Sequence, residues 1–238
     1  MDLQKAIGSR YSCRTFDPGP LSEERAAKIR ELAAGINAES GLTLEFLDDG
    51  AAAFAGFRRS YGMFKNVRSL ILMKGPDELP DLPERLGYYG EELVLALTAL
   101  GIGTCWVGGT YDRSVLSVPP GETLLLVVPV GEPGRILLKD RFLLRQLHGR
   151  RKPPAERLTA EGDVPDWLRR GMEAVIPAPS AVNSQKPHFT YTGGILTASV
   201  PGRSPMEFVD LGIAKRHFEI GAGGRFAFGN GGAYAPAD

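Results

Sequence analysis

A run of apolar and small residues near the middle of the chain restricts what this sequence can fold into. Leu93–Leu100 carries no charged side chain, which is typical of a helix that is buried on most sides. Gly101 and Gly103 follow, and glycine commonly ends a helix because it accepts the left-handed backbone there. We therefore predict a long central helix near residues 90–101, which further layers of structure must cover.

A short strand and a Gly-Gly turn, Gly108 and Gly109, follow this helix. Because glycine has no Cβ, a planar ligand can lie against such a backbone and accept a hydrogen bond from an amide. The same pattern is equally typical of a buried helix with a glycine cap and a tight turn. The residues alone leave both interpretations open.

Helices and strands alternate in the rest of the first half. Leu3–Ser9 is predicted as a short helical turn, and Ser22 as the N-cap of a helix that Gly35 ends. Strands are predicted at Leu42–Leu47, Ser69–Met73 and Leu124–Val130. Gly75 and Pro76 are expected to stop the second strand, and a charged, proline-rich loop to cover residues 75–85.

The second half repeats this order of elements after a basic, proline-containing linker at about 141–162. Its elements are a helix at Trp167–Ile176, a loop at Pro177–Gln185, strands at His188–Thr192 and Leu196–Val200, and a helix at Phe208–Ala222 that runs into glycines. Such an echo would let one chain build an internal pseudo-dimer, although many α+β chains show a similar order. We predict one α+β unit over residues 1–238, with halves at about 1–140 and 163–238 and a mixed, mostly antiparallel sheet flanked by helices.

Composition narrows the class of function. The chain has 238 residues with 28 Lys plus Arg and 28 Asp plus Glu, so no overall field favours nucleic acid or an anionic membrane. No apolar run approaches the ~20 residues of a membrane helix, and Met-Asp-Leu-Gln-Lys does not resemble a signal peptide. We expect a cytoplasmic protein that acts on a small molecule. We also expect no metal site, because the three histidines have no shared ligand spacing.

The two cysteines, Cys13 and Cys105, have no metal or redox spacing. Cys13 is favoured as a small core residue over a reactive thiol.

The segment Arg10-Tyr-Ser-Cys-Arg-Thr-Phe16 has features of an anion site. In an extended backbone, the alternate residues Arg10, Ser12 and Arg14 point to the same side. Two guanidinium groups and a hydroxyl suit a phosphate, because the guanidinium fork grips phosphate oxygens bidentately. The alternative is a solvated strand with no ligand.

The segment Ala178-Pro-Ser-Ala-Val-Asn-Ser-Gln185 follows the helix that Pro177 and Pro179 end. Its Ser180, Asn183 and Gln185 side chains offer donors and acceptors that suit the edge of a heterocycle. Ordinary turn chemistry is the alternative.

Together, and in this order, these segments resemble the nitroreductase family of flavin mononucleotide (FMN) enzymes. Arg10, Tyr11, Ser12 and Arg14 fall on the N-terminal FMN-contacting motif of that family. Pro179, Ser180, Ala181, Asn183 and Gln185 fall on its Pro-Ser-x-x-Asn-x-Gln motif. The run from Leu100 to Gly109 is similar to the family segment that places backbone amides near flavin N5. Val-Pro-Val-Gly-Glu-Pro133 and the basic Arg150-Arg-Lys-Pro-Pro-Ala-Glu156 resemble its strand end and its late phosphate contact.

The resemblance implies roles for these residues. Arg10, Ser12, Arg14 and Arg151 would hold the phosphate, Ser180 and Asn183 would face the ribityl chain or ring edge, and Gly108 and Gly109 would lie at N5. No side chain is expected to act as acid or base, because the chemistry is centred on the flavin and solvent can protonate the acceptor.

The chain departs from the usual family pattern in the position of the Pro-Ser loop. In ordinary nitroreductases this loop follows the first helix and is supplied by the other subunit of a homodimer, whereas here it comes after residue 175. The chain resembles most a minority branch with this rearranged order, which implies one FMN per chain in a monomer or weak homodimer. Lys186-Pro187 stands where Pro-Trp is usual in the family. The sequence therefore does not indicate which side chain packs against the flavin ring in place of this Trp.

The function implied is transfer of hydride from NADH or NADPH through flavin N5 to an electron-poor acceptor such as a nitroaromatic or a quinone. One alternative is another flavin reaction, for example ene-reduction, dehalogenation or flavin fragmentation. A second is a non-catalytic FMN-binding or storage protein. A face near residues 55–64 and 76–90 that is open to nicotinamide would favour the enzyme.

Overall fold

The computed structural model describes residues 2–55, 63–135 and 150–237 and has an α+β fold. The helices of these residues are α1 (Leu3–Ser9), α2 (Glu23–Ser40), α3 (Leu82–Ala99), α4 (Asp166–Val175) and α5 (Pro205–Ala222). The strands are β1 (Glu45–Leu47), β2 (Ser69–Pro76), β3 (Gly103–Thr104), β4 (Glu122–Gly131), β5 (Leu158–Ala160), β6 (His188–Thr192), β7 (Ile195–Ser199), β8 (Arg225–Phe226) and β9 (Gly232–Ala235). The predicted fold class is therefore confirmed.

The described chain clusters into two compact units. Unit 1 contains residues 9–55, 63–82 and 93–135, and unit 2 contains residues 2–8, 83–92 and 150–237. Residues 2–8 and 83–92 thus belong with the second unit, whereas the sequence analysis placed them in the first half.

Unit 1 is built on an antiparallel sheet in the order β1-β2-β4-β3. The two long strands pair over most of their length, with Ile71 opposite Val128 and Leu72 opposite Val127. Both strands are buried almost throughout, because their continuous apolar runs place apolar side chains on both faces. Leu70 and Leu124 lie in a core with Cys105 and Val107 of the segment after α3, so this segment is fixed by packing.

Unit 2 has a mixed sheet in the order β5-β6-β7-β9-β8, in which β5 is parallel to β6 and the other pairs are antiparallel. Helices α4 and α5 contribute Leu168, Leu211 and Phe218 to its core, where Phe189 of β6 stacks on Phe218 with ring centroids 5.4 Å apart. Helix α5 is therefore anchored on this sheet.

The first turns of α3 also pack against α5 within unit 2. A Cβ at Gly212 would lie 1.9 Å from the Glu84 carbonyl oxygen, and one at Gly87 would lie 2.0 Å from the Val209 carbonyl oxygen. Both positions therefore require glycine, because the two helix backbones are in contact there.

Ionisable side chains are buried at the same helix pair. Lys215 Nζ donates to Glu84 Oε1 at 2.5 Å and to the carbonyl oxygens of Ala227 and Gly229 at 2.9 and 3.0 Å. His217 Nε2 lies 2.8 Å from Glu91 Oε1. The Lys215 ammonium has a partner for each of its hydrogens, which is the condition under which a buried charge is tolerated.

Several element boundaries differ from the sequence predictions. Helix α2 continues through Gly35 to Ser40 and ends at Gly41, whose φ is +73°, because Gly35 costs a helix only about 1 kcal/mol and Ile36 still packs inward. Strand β2 continues through Gly75 and Pro76, which pair with Thr123 and Glu122.

Two predicted loops also contain regular structure. Helix α3 begins at Leu82 inside the predicted 75–85 loop, with a proline in its first turn, a position where the missing N–H costs nothing. Strand β5 lies inside the predicted linker, and residues 141–149 of that linker lie outside the described residues. In residues 2–55, 63–135 and 150–237 no helix has the length and apolar character needed to cross a membrane.

Candidate functional site

The predicted phosphate segment is extended and lies beside the strand after α3 in unit 1. Ser12 forms a parallel bridge with Thr104, and Cys13 N donates to the Thr104 carbonyl at 2.8 Å. Arg14 O accepts from Lys65 N at 2.9 Å. Backbone pairing on both sides therefore fixes the direction in which alternate side chains point.

The side chains of the segment interact with two buried thiols, Cys105 and Cys13. The Ser12 hydroxyl hydrogen-bonds to the Cys105 thiol, and the guanidinium groups of Arg10 and Arg14 both lie close enough to stabilise its thiolate. Burial outweighs these contacts and raises the pKa of the Cys105 thiol. Arg10, Ser12 and Arg14 therefore all interact with the Cys105 thiol, and Arg14 also interacts with the Cys13 thiol.

The Tyr11 hydroxyl hydrogen-bonds to the Cys13 thiol. Burial and the neighbouring thiol raise the pKa of Tyr11 to about 12. Cys13 itself is fully buried and its pKa is raised by burial, which agrees with a core residue rather than a reactive thiol.

The guanidinium of Arg14 is incompletely satisfied. Its Nη1 is buried and has no hydrogen-bond partner among the described residues. A buried donor without an acceptor costs about 1–3 kcal/mol, and more when it is charged. An anion bound beside Arg10, Ser12 and Arg14 would remove that cost.

Gly108 and Gly109 are exposed, and a Cβ at Gly109 would meet no atom within 4 Å. Neither residue has a positive φ, so backbone conformation does not require glycine there and close approach of a ligand remains a reason for it. Gly108 is three positions after Cys105 in the chain, a span of at most about 11 Å. That is of the order of the five-carbon ribityl chain that joins a phosphate to a flavin ring.

The Pro-Ser loop of unit 2 is strained. Val182, Asn183 and Gln185 have φ values of +47°, +54° and +50°. Asparagine tolerates this region, but a β-branched valine there is an outlier, and such strain costs on the order of 1–3 kcal/mol per residue. Val182 is 99% exposed, so packing of its own side chain does not compensate.

Gln185 connects this loop to the basic segment at residues 150–152. Its Oε1 accepts from Lys152 N at 2.8 Å and its Nε2 donates to the Arg150 carbonyl at 2.9 Å. The buried amide thus binds the backbone on both sides of Arg151. Arg151 Nη1 donates to the Ala178 carbonyl at 2.8 Å and lies 3.4 Å from Asn183 Oδ1. The structure brings Arg151 and Asn183 together and engages the Gln185 amide within unit 2.

Two buried charged residues lie under the loop. Arg157 donates to the carbonyl oxygens of Val175 and Pro187, at 3.0 and 3.3 Å, and burial together with the Arg151 charge lowers its pKa to about 10. Asp210 accepts from Ala181 N at 2.9 Å, and burial raises the pKa of its carboxyl to about 7 although Lys186 and Arg157 favour the ionised form.

Comparisons with known proteins fit this fold. The family model described as "Putative TM nitroreductase" matches residues 2–222. This chain belongs to the nitroreductase family. A structure of a "putative nitroreductase" from Thermotoga maritima covers 98% of this chain and 92% of its own, with 24% identity and a TM-score of 0.63.

Two other nitroreductase structures are more distant in fold. The family protein from Clostridium difficile 630 covers 68% of this chain and 100% of its own, with 18% identity and a TM-score of 0.48. A nitroreductase with bound FMN from Desulfitobacterium hafniense covers 59% of this chain and 96% of its own, with 20% identity and a TM-score of 0.45. No curated protein matches the chain.

The sequence analysis did not place Cys105, Arg157 or Asp210 at the site of this nitroreductase-family chain. Asp210 had one available signal, since it is a carboxylate inside the apolar stretch Phe208–Ala214 of α5. Arg157 was assigned to a linker, and only the fold shows that it lies beneath the loop.

Proposed function

We propose that this chain is an FMN-dependent oxidoreductase that passes hydride from NADH or NADPH to an electron-poor acceptor of the nitroaromatic or quinone type. Membership of the nitroreductase family supports this class of activity. We further propose that the chain carries the rearranged order in which the Pro-Ser loop lies in the second half, that it forms an internal pseudo-dimer with one FMN per chain, and that it works in the cytoplasm as a monomer or weak homodimer.

The observation that carries the proposal is the buried Arg14 Nη1, which has no acceptor among the described residues. It lies on the segment whose Arg10 and Ser12 interact, as Arg14 does, with the Cys105 thiol. Two cations and a hydroxyl on one face suit a phosphate dianion, because charge-assisted hydrogen bonds to phosphate are short and strong. The residues present therefore fit the phosphate of FMN.

The other proposed contacts would orient the flavin ring and its ribityl chain. Gly108 and Gly109 leave their backbone open to a planar ring. In unit 2, Arg151 and Asn183 lie side by side in a loop held by Gln185. We propose that Pro179, Ser180, Ala181 and Asn183 face the same FMN and that Arg151 adds a phosphate contact.

FMN, when bound, supplies the two-electron hydride chemistry. The chain binds and orients it and keeps the phosphate charge neutralised. None of the proposed site residues needs to act as an acid or base, because solvent can protonate the acceptor.

A different flavin reaction and a non-catalytic FMN-binding protein are the alternatives. The predicted discriminator was an open face near residues 55–64 and 76–90, and residues 56–62 lie outside the described part of the chain. Reduction by the nicotinamide is therefore the discriminating measurement.

The test is to add FMN to the purified protein, measure the stoichiometry by absorbance, and follow anaerobic bleaching by NADH and by NADPH. We expect about one FMN per chain and bleaching by at least one nicotinamide. A stoichiometry near one half would refute a single-chain site, and binding without bleaching would favour the storage protein.

Arg14→Ala tests the phosphate site directly. We expect its affinity for FMN to fall by about 1.5–3 kcal/mol, or roughly 10- to 150-fold in Kd. Arg30→Ala is the matched control in the same unit, because Arg30 pairs with Glu23 and Asp48 on the surface. Equal affinities for the two variants would return the Arg10–Arg14 segment to the solvated-strand interpretation.

A further inference from the structure

We infer that Asp210 is a positioning residue that fixes the Pro-Ser loop from beneath. The inference rests on the proposed function, since it names the residue that prepares one part of the proposed FMN site. Asp210 Oδ1 accepts from Ala181 N at 2.9 Å, and Oδ2 lies 3.5 Å from Ser184 Oγ. The two contacts flank Val182 and Asn183, which have left-handed backbone conformations.

The strain of the loop explains why such an anchor is needed. A positive φ at a β-branched residue persists only where the surroundings impose it. The Val182 side chain is 99% exposed and contributes no packing. The hydrogen bonds that Asp210 accepts from the Ala181 amide and the Ser184 hydroxyl therefore hold the two ends of the strained pair from beneath. Arg151 and Lys152 add contacts to Asn183 and to the Ser184 carbonyl.

Asp210 can provide a rigid anchor because of its place in α5. It is 3% exposed, and its neighbours Val209 and Leu211 are buried in the helix. The charged groups that interact with it are Arg157, beneath the loop, and Lys186, after the loop. Two nearby cations and two donors offset part of the desolvation cost of this buried carboxyl, whose pKa burial nevertheless raises.

The consequence concerns Asn183, which is proposed to face the cofactor. Asn183 N donates to the Ser180 carbonyl at 3.0 Å and Ser184 N to the Ala181 carbonyl at 3.0 Å. Fixing Ala181 and Ser184 therefore also fixes the short turn that presents Asn183. Loss of the anchor should lower FMN affinity without removing any group that touches FMN.

The experiment compares Asp210→Ala with Asp210→Asn. Both variants remove the buried charge, but only asparagine keeps an oxygen that can accept from Ala181 N. FMN affinity is measured by flavin fluorescence titration, and hydrogen exchange of the 178–185 amides is measured by mass spectrometry on the protein without FMN.

We expect Asp210→Ala to raise the Kd for FMN about tenfold or more, the effect of one lost charge-assisted hydrogen bond, and Asp210→Asn to stay within about threefold of wild type. Loop amides should exchange faster in Asp210→Ala alone. If Asp210→Ala does not fold, Asp210→Leu fills a similar volume without an acceptor and takes its place.

Glu219→Gln is the control, because Glu219 is a buried carboxylate on the same helix that accepts from Tyr88 and from Phe226 N, neither of which belongs to the loop. It should leave loop exchange unchanged. Equal loop exchange in Asp210→Ala and Asp210→Asn would overturn the inference. If wild type bound no FMN while loop exchange still differed between these two variants, the anchor would stand and the proposed function would fail.

Discussion

Gly212→Ala should destabilise the protein, although alanine is the better helix former. Gly212 lies within α5, and its substitution places a Cβ 1.9 Å from the Glu84 carbonyl oxygen and 2.6 Å from Tyr88 N. Both are backbone atoms of α3, so no side chain can rotate away. The helix backbones must separate by about 1 Å or more to restore an ordinary contact.

The magnitude follows from three contributions. Intrinsic propensity favours alanine by about 1 kcal/mol. Overpacking in a rigid contact costs about 1–3 kcal/mol. Separation of α3 from α5 also stretches the buried Lys215–Glu84 and His217–Glu91 contacts, at 2.5 and 2.8 Å, and breaking a buried pair outright costs about 3–5 kcal/mol. With those pairs partly weakened, we expect a net loss of about 2–4 kcal/mol.

The assay is urea unfolding monitored by circular dichroism, with the slope checked for constancy. Gly35→Ala is the matched control, since Gly35 is an exposed helical glycine and a Cβ there would meet no atom within 4 Å. It should stabilise the protein by about 0.5–1 kcal/mol. A Gly212→Ala variant as stable as wild type, or stabilised like Gly35→Ala, would refute the close approach of α3 and α5.

Two further predictions concern buried charges. Burial raises the pKa of the Asp210 carboxyl from 3.8 to about 7. Between these pH values the folded state keeps the carboxyl proton that the unfolded state has lost, so the free energy of unfolding falls as pH rises. The contribution of Asp210 to stability is therefore largest below pH 4 and is lost as pH rises to about 7. The Asp210→Asn variant cannot titrate at this position, so its free energy of unfolding should match that of wild type near pH 4 and exceed it by up to about 4 kcal/mol above pH 7. A difference in unfolding free energy between variant and wild type that does not change with pH would contradict the raised pKa of Asp210. Lys215→Met should lower the free energy of unfolding, measured in urea, by about 3–5 kcal/mol because it leaves Glu84 buried without its cation. Adding Glu84→Gln to this variant should recover more than half of that loss. A double variant no more stable than the single one would show that the pair is not coupled.

Local patterns in the sequence were sufficient for most of the elements. Apolar alternation and runs predicted β4, β6 and β7, and the capping serine at Ser22 predicted the start of α2, where its Oγ accepts from Arg25 N. These signals work because propensity, caps and periodicity act within one element. Predictions failed where pairing with another strand extended an element past residues that usually end it. Strand β2 continues through Gly75 and Pro76 because both pair with residues of β4.

The features of the candidate site also divide into those that the sequence predicts and those that only the tertiary structure shows. The order of residues by itself predicts that Arg10, Ser12 and Arg14 share one side of an extended segment, because side chains alternate along a strand. It also determined the Pro-Ser-x-x-Asn-x-Gln motif that pointed to the nitroreductase family. Only the tertiary structure decided that the Cys105 thiol interacts with Arg10, Ser12 and Arg14, and that Gln185 holds the backbone around Arg151. It alone placed Asp210, 29 residues from Ala181 in the chain, at hydrogen-bond distance from the loop. Such contacts depend on how sheets and helices pack, and packing joins residues whose separation along the chain carries no local signal.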